Sequence, residues 1–262
     1  MSLETLGGVL LAGGKRALRE HEAPWLPKLL ELVGNKPVLS YPLQAIRGMT
    51  RVSINSITTI ISARYGEQLK EFLRPHSVEI AIQTTHHGTA HAIWEAINQG
   101  AYPNTDYVLI LMGDQPLITS EDLDAFFGYM VQSKQRAGIL TFEESRQNDD
   151  YKKCGVVHKN AHGEFTHIAS RTPVPQNKKE TLHAGPYLFQ ASWLRGVLTS
   201  LSKYHTHHTD DMPEWHLYEA LEAARADTGV SICTSPHPEN FLGVDTLHAL
   251  EEVRHRMMSR KQ

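Results

Sequence analysis

"YVLILMGDQPL", Tyr107–Leu117, is the stretch on which the fold turns. An apolar run without a polar break ends in Gly113 and the carboxylate of Asp114. A strand with one wet face alternates apolar and polar residues. A short continuous run fits a strand covered on both faces, as in a parallel sheet. "GVLLA" from Gly8 and "SITTIIS" from Ser56 have the same character, and "VEIAIQT" from Val78 alternates in part. Helical patterns lie between them: "KPVLSYPLQAIRGM" from Lys36, "YGEQLKEFL" from Tyr65 and "GTAHAIWEAINQG" from Gly88. In "TSEDLDAFFGYMVQS", Thr119 or Ser120 is a natural N-cap with acidic residues in the first turn. Strand and helix alternating at this spacing predict βαβ units with right-handed crossovers, and so an α/β fold.

The pattern continues less regularly. "AGILTFE" from Ala137 reads as a strand, and "HAGPYLFQASWLRGVLTSL" as a strand followed by a helix. "PEWHLYEALEAARADTG" is a helix stopped at Gly229, "VSICTSP" a short strand and "VDTLHALEEVRHRMMSRK" a closing helix. "ESRQNDDYKK" and "SRTPVPQNKKETLH" read as loops. A single domain is expected over 1–262, with a first half to about 143 and an elaborated second half.

Composition narrows the function classes. The chain of 262 residues is 40% hydrophobic and 21% charged, ordinary for a soluble protein. A formal net charge of −3 gives no reason to expect nucleic acid or an anionic membrane. The two cysteines, Cys154 and Cys233, lie in no metal-ligand spacing, and a reducing cytoplasm is the default expectation. The apolar run near the N-terminus is too short for a signal peptide or a membrane span.

In an open parallel sheet, ligands bind beyond the carboxyl ends of the strands. Leu11–Gly14 follows the first strand, and its glycines would let backbone N–H groups approach a phosphate. A tight turn with solvated basic residues is the plain alternative. The residues fit neither a Walker A loop, which would need glycine at Val9 and Ser or Thr at Arg16, nor a G-x-G-x-x-G fingerprint. Pro27 fixes its own φ and could aim the Lys28 ammonium at a phosphate, although on this residue alone a solvated surface lysine is the stronger reading. Asp114 stands where a ligand would be, and carboxylate oxygens suit a hard cation such as Mg²⁺. Asp245, just before a helix, is either an N-cap or a second ligand to that ion. In "QTTHHGTAHA", the Gln83 amide could read a base edge, with Gly88 and Thr89 under a flat ring. His86, His87 and His91 attract attention as metal ligands, but no carboxylate supports them. The run His205–His208 reads as a solvated loop.

Taken together, these segments resemble the sugar-1-phosphate nucleotidyltransferases, and most closely the pyrophosphorylase half of N-acetylglucosamine-1-phosphate uridyltransferases. The family's "LAAGxGxR…PKxL" opening matches "LAGGKRALREHEAPWLPKLL", and its Gly-Lys-Pro helix entrance matches "GNKPVLSYPL". "QTTHHGTAHA", "GDQPL", "CGVV" at Cys154, "HAGPYLF" at His183 and "GVDT" at Gly243 match later landmarks in order. The resemblance implies a Rossmann-like three-layer α/β/α fold with a mixed, mostly parallel sheet, of the nucleotide-diphospho-sugar transferase type. It implies that a nucleoside triphosphate, UTP first, and a sugar 1-phosphate, such as N-acetylglucosamine 1-phosphate, give a nucleotide sugar and pyrophosphate.

By the same resemblance, Leu11, Ala12, Gly13, Gly14 and Lys15 hold the nucleotide, and Gln83, Gly88 and Thr89 the base. Lys28 acts beside the phosphates, Asp114 and Asp245 bind Mg²⁺, and Gly155, His183 and Gly185 lie against the sugar. The chain departs from the pattern in places. Arg16 replaces a signature glycine and Leu18 the signature arginine, so Arg19 or Arg16 would substitute. His183 replaces an asparagine on the sugar side, and Ser170 a glutamate. No β-helix acetyltransferase half is expected, since the chain ends soon after "GVDT". The alternatives are a catalytically degenerate nucleotide- or sugar-binding relative, and a transferase with a non-hexose phosphate acceptor.

Overall fold

The computed structural model describes residues 4–14, 18, 26–169, 173, 178–203 and 214–260. Lys15, Arg16, Arg19, Ser170 and His205–His208 lie outside the described residues.

In chain order the strands are β1 (Thr5–Ala12), β2 (Leu32–Val33), β3 (Lys36–Pro37), β4 (Ser53–Ser62), β5 (Glu79–Gln83) and β6 (Tyr107–Met112). They continue with β7 (Ala137–Glu144), β8 (Val156–Lys159), β9 (Phe165–Ala169), β10 (Glu180–Gln190) and β11 (Val230–Ser235). The helices are α1 (Ser40–Arg47), α2 (Gly66–Leu73), α3 (Thr89–Asn98), α4 (Ser120–Ser133), α5 (Ala191–Ser202), α6 (Tyr218–Asp227) and α7 (Leu247–Ser259).

The main sheet runs β11-β7-β10-β6-β1-β4-β5, with the β8–β9 hairpin joined to it through β10. β5, β4, β1 and β6 are mutually parallel, in keeping with the runs in β1, β4 and β6 that do not alternate apolar with polar. β10 enters between β6 and β7 antiparallel to both, and β11 runs parallel to β7. One sheet therefore passes through both halves of the chain, and it is mixed and mostly parallel.

Each face carries its own core. Leu6, Leu10, Leu109 and Leu111 pack toward α1, α4 and α7, with Phe126, Phe142 and Leu250. Val9, Ile60, Val108 and Ile110 pack on the other face with Ile93, Leu194 and Leu221 of α3, α5 and α6. This is the expected three-layer α/β/α arrangement.

The N-cap of α4 is Thr119, which forms a full capping box with Asp122. The helical pattern from Lys36 begins to coil only at Ser40, because Lys36–Pro37 pairs back onto Leu32–Val33 across a turn at Gly34, φ +61°. The hairpin β8–β9 was not legible as strands: it is short, carries histidines at His158 and His167, and slips register after His158. At the open edge of the sheet, the Gln99 amide donates to the Ile82 carbonyl at 2.8 Å and accepts from the Ile82 N–H at 2.9 Å. No helix among the described residues is long and apolar enough to cross a membrane.

Candidate active site

β1 and β6 end side by side, and the turns beyond them build the site. The Gly113 N–H donates to the Leu11 carbonyl at 3.0 Å, tying the two strand ends together. Asp114 then stands clear of the sheet. Its backbone carbonyl accepts from Val244 at 2.9 Å, which brings the segment before α7 alongside. Asp245 is not the N-cap of α7: Thr246 is, accepting from the Ala249 N–H through its hydroxyl. The Asp245 carboxylate is thereby left to face the site.

Lys28 arrives from the other side. Pro27 has φ −56° and ψ 137°, an extended entrance to the 3-10 turn Lys28–Leu30, and Leu29 beneath it is buried. The Lys28 ammonium donates to Asp114 Oδ2 at 2.5 Å and to Asp245 Oδ1 at 2.7 Å. The lysine side chain is 11% exposed and that of Asp114 21%, whereas that of Asp245 is 55% exposed. Burial alone would lower the lysine's proton affinity. The Asp114 and then the Asp245 carboxylate more than reverse this, and the ammonium is held well above its ordinary range.

A cavity of about 320 Å³ opens beside this triad. Leu11, Gly13, Gly14, Lys28, Gln83, Gly88, Thr89 and Asp114 all line it, so residues more than a hundred positions apart share one cavity. A Cβ on Gly13 would lie 2.6 Å from Gln83 Oε1, so only a glycine lets the Gln83 amide come this near the loop. Gln83 Nε2 donates to the Gly88 carbonyl at 3.3 Å, leaving its oxygen toward the cavity side of Gly13. Ala12 is buried with its side chain in the core and offers the cavity nothing beyond its backbone.

Sequence reasoning missed a second wall. Trp215, 1% exposed, is anchored against Trp94. Its backbone N–H donates to His87 O at 2.7 Å, its carbonyl accepts from Ala90 N at 3.0 Å, and Leu217 N donates to the Thr89 hydroxyl at 3.0 Å. The neighbours of an inward Trp in an extended segment point the other way. Glu214 and His216 accordingly line the cavity and pair with each other at 3.3 Å. A polar residue on each side of a large apolar one in "PEWHL" was the available signal. The histidines of the 86–91 turn have separate duties: His86 meets the Ser62 hydroxyl at 3.0 Å, and buried His91 meets Gln83 at 3.4 Å and Glu95 at 3.6 Å.

The three residues expected on the sugar side gather elsewhere, around a bulge where β10 slips register on β7 between His183 and Tyr187. The His183 N–H donates to the Gly155 carbonyl at 2.9 Å. Gly185, φ +105°, is packed against the Gln115 amide, which donates to Ala184 O at 2.6 Å and Phe241 O at 3.0 Å. Gly155, His183 and Gly185 do not line the cavity that holds Gln83, although the Asp114–Gln115 step links the two regions. His183 Nε2 is buried with no hydrogen-bond partner among the described residues, and burial pulls the imidazole down to about 4. It is neutral at physiological pH. Burial also pushes the Cys154 thiol up to about 11, so it is no thiolate nucleophile.

Comparison with known proteins places the chain in a family. A family model described as the MobA-like NTP transferase domain matches residues 8–253. The bifunctional protein GlmU of Geobacillus thermodenitrificans is 26% identical over 257 residues, covering 96% of this chain and 52% of its own. GlmU of Caldanaerobacter subterraneus is 25% identical over 99% of this chain and 54% of its own. The chain thus spans about half the length of the curated relatives it matches. A solved structure of CMP:2-keto-3-deoxy-manno-octonic acid synthetase with CTP covers 98% of this chain and 99% of its own, with TM-score 0.66 and 18% identity. That similarity is one of fold.

Proposed function

The chain belongs to the MobA-like NTP transferase domain family, and we propose that it moves a nucleoside monophosphate from a nucleoside triphosphate to a sugar 1-phosphate, releasing pyrophosphate. UTP and N-acetylglucosamine 1-phosphate are the first pair to test, because the GlmU proteins are similar over nearly the whole chain. The observation that carries the reading is the Lys28–Asp114–Asp245 triad, set at the mouth of a glycine-walled cavity.

The glycine turn would receive the triphosphate on backbone N–H groups, with the Gln83 amide against the base edge. An oxygen of the acceptor phosphate attacks the α-phosphorus, the bond from that phosphorus to the bridging oxygen breaks, and pyrophosphate leaves in line. Lys28 would sit beside the charge that spreads onto the α-phosphate oxygens, and its high proton affinity keeps it a full cation there. It is a positioning and charge-neutralising group, with no proton to take.

Two carboxylates that already converge on one cationic group are a fitting donor set for Mg²⁺, which favours few protein oxygens and keeps waters and phosphate oxygens. Asp114 and Asp245 would hold the ion. Bound there, Mg²⁺ would supply charge neutralisation and orientation at the α-phosphate.

One observation favours an acceptor other than an N-acetylhexosamine phosphate. His183 presents a neutral, buried nitrogen, without a hydrogen-bond partner among the described residues, where the resembled family has an asparagine. Pyrophosphate release from a grid of nucleoside triphosphates against hexose 1-phosphates and amino-alcohol phosphates tests both readings. One strong cell names the substrates. A blank grid with triphosphate binding still measurable leaves a binding-only relative.

A further inference from the structure

The Lys28 ammonium lies 2.5 Å from Asp114 Oδ2 and 2.7 Å from Asp245 Oδ1, the position that an ion bridging those two oxygens would take. We propose that Lys28 is the resident counter-ion of this carboxylate pair, and that a divalent cation enters only as the triphosphate draws Lys28 away. The inference rests on the nucleotidyltransferase reading and adds an order of events to it.

Three observations support it. The lysine is bonded to one oxygen of each carboxylate at once, Asp114 Oδ2 and Asp245 Oδ1, so an ion taking those two oxygens would have to displace it. It is also nearly enclosed, and a charge that leaves its partners inside a protein must find new ones. Lastly, the cavity beside it leads toward the glycine turn: a Cβ on Gly14 would lie 3.5 Å from Lys28 Cε, and both residues line the cavity. A triphosphate seated there offers the ammonium several anionic oxygens within a small swing of its flexible stem. Vacating the carboxylates and gaining phosphate oxygens as further ligands then happen together, which suits an ion that sheds water reluctantly. Two ligands that each require the same rearrangement bind with positive coupling.

Mn²⁺ binding, followed by electron paramagnetic resonance and calorimetry on the full chain, tests this without turnover. In the absence of nucleotide, Lys28→Met should bind Mn²⁺ about tenfold or more tightly than wild type, while Lys28→Arg, which keeps a cation in place, should not. A non-hydrolysable triphosphate should tighten Mn²⁺ binding to both proteins through the phosphate oxygens it adds, but to wild type by about tenfold more than to Lys28→Met. Equal Mn²⁺ affinity of wild type and a folded Lys28→Met would overturn the proposal. So would tight binding that survives Asp114→Asn in the Lys28→Met background, since the ion would then lie elsewhere. Failure of wild type to release pyrophosphate from any substrate pair refutes the functional reading by a separate measurement.

Discussion

A Cβ on Gly88 would stand 2.3 Å from the carbonyl oxygen of Trp215 and within 2.9 Å of its backbone nitrogen. The missing side chain at this position, expected to lie under a flat ring, is required by the protein's own backbone. The residue also has φ +100°, a region side-chain-bearing residues rarely adopt. Gly88→Ala should therefore cost about 2–4 kcal/mol of stability, from backbone strain and overpacking combined. The urea midpoint checks this; a loss below about 0.5 kcal/mol would mean that the 214–217 segment does not clasp the turn.

Asp114→Ala should lower turnover by about 10³ or more while circular dichroism stays that of wild type. The carboxylate faces the site and not the core, and the backbone carbonyl that holds Val244 remains. Undiminished pyrophosphate release by this variant would remove Asp114 from the chemistry.

Lys28→Ala should act chiefly on kcat, by about 10²–10³, because the charge it neutralises grows at the α-phosphate as the bonds change. Should KM alone rise, Lys28 is a ground-state tether for the triphosphate.

His183 gives the molecule a pH-dependent stability with a definite sign. Its imidazole titrates near 4 in the folded chain, below the ordinary value of 6.5. The unfolded chain therefore takes up the proton first as pH falls. The contribution is whole above pH 6.5, is lost between 6.5 and 4, and changes no further below that. It amounts to at most about 3 kcal/mol. Urea unfolding of wild type and His183→Leu at pH 7, 5.5 and 4.5 should show wild type losing stability relative to the variant, by up to this amount, toward low pH; parallel curves would sink the assignment.

The central strands were readable because a parallel sheet buried on both faces leaves apolar or β-branched runs, without apolar–polar alternation, in β1, β6 and the second half of β4. Asp114 was readable for the same reason, as the first charge after such a run. Lys28 and Asp245 became convincing only with their geometry, since neither a proline before a lysine nor an aspartate before a helix is informative alone. The clasp of Trp215 on His87 and Ala90 consists of backbone bonds between distant segments, which no side-chain pattern encodes. The slip in β10 was equally silent: it is set by where Gln115 packs against Gly185, not by any local propensity.

β5 is the last strand of its sheet, and such a margin is a template on which another polypeptide can continue the ladder. The primary amide of Gln99 has the donor and acceptor spacing of a peptide group. By satisfying both Ile82 positions from within the same molecule, it ends the ladder there. That removes a docking register for a second copy, and should help concentrated protein to resist stacking sheet to sheet through this side.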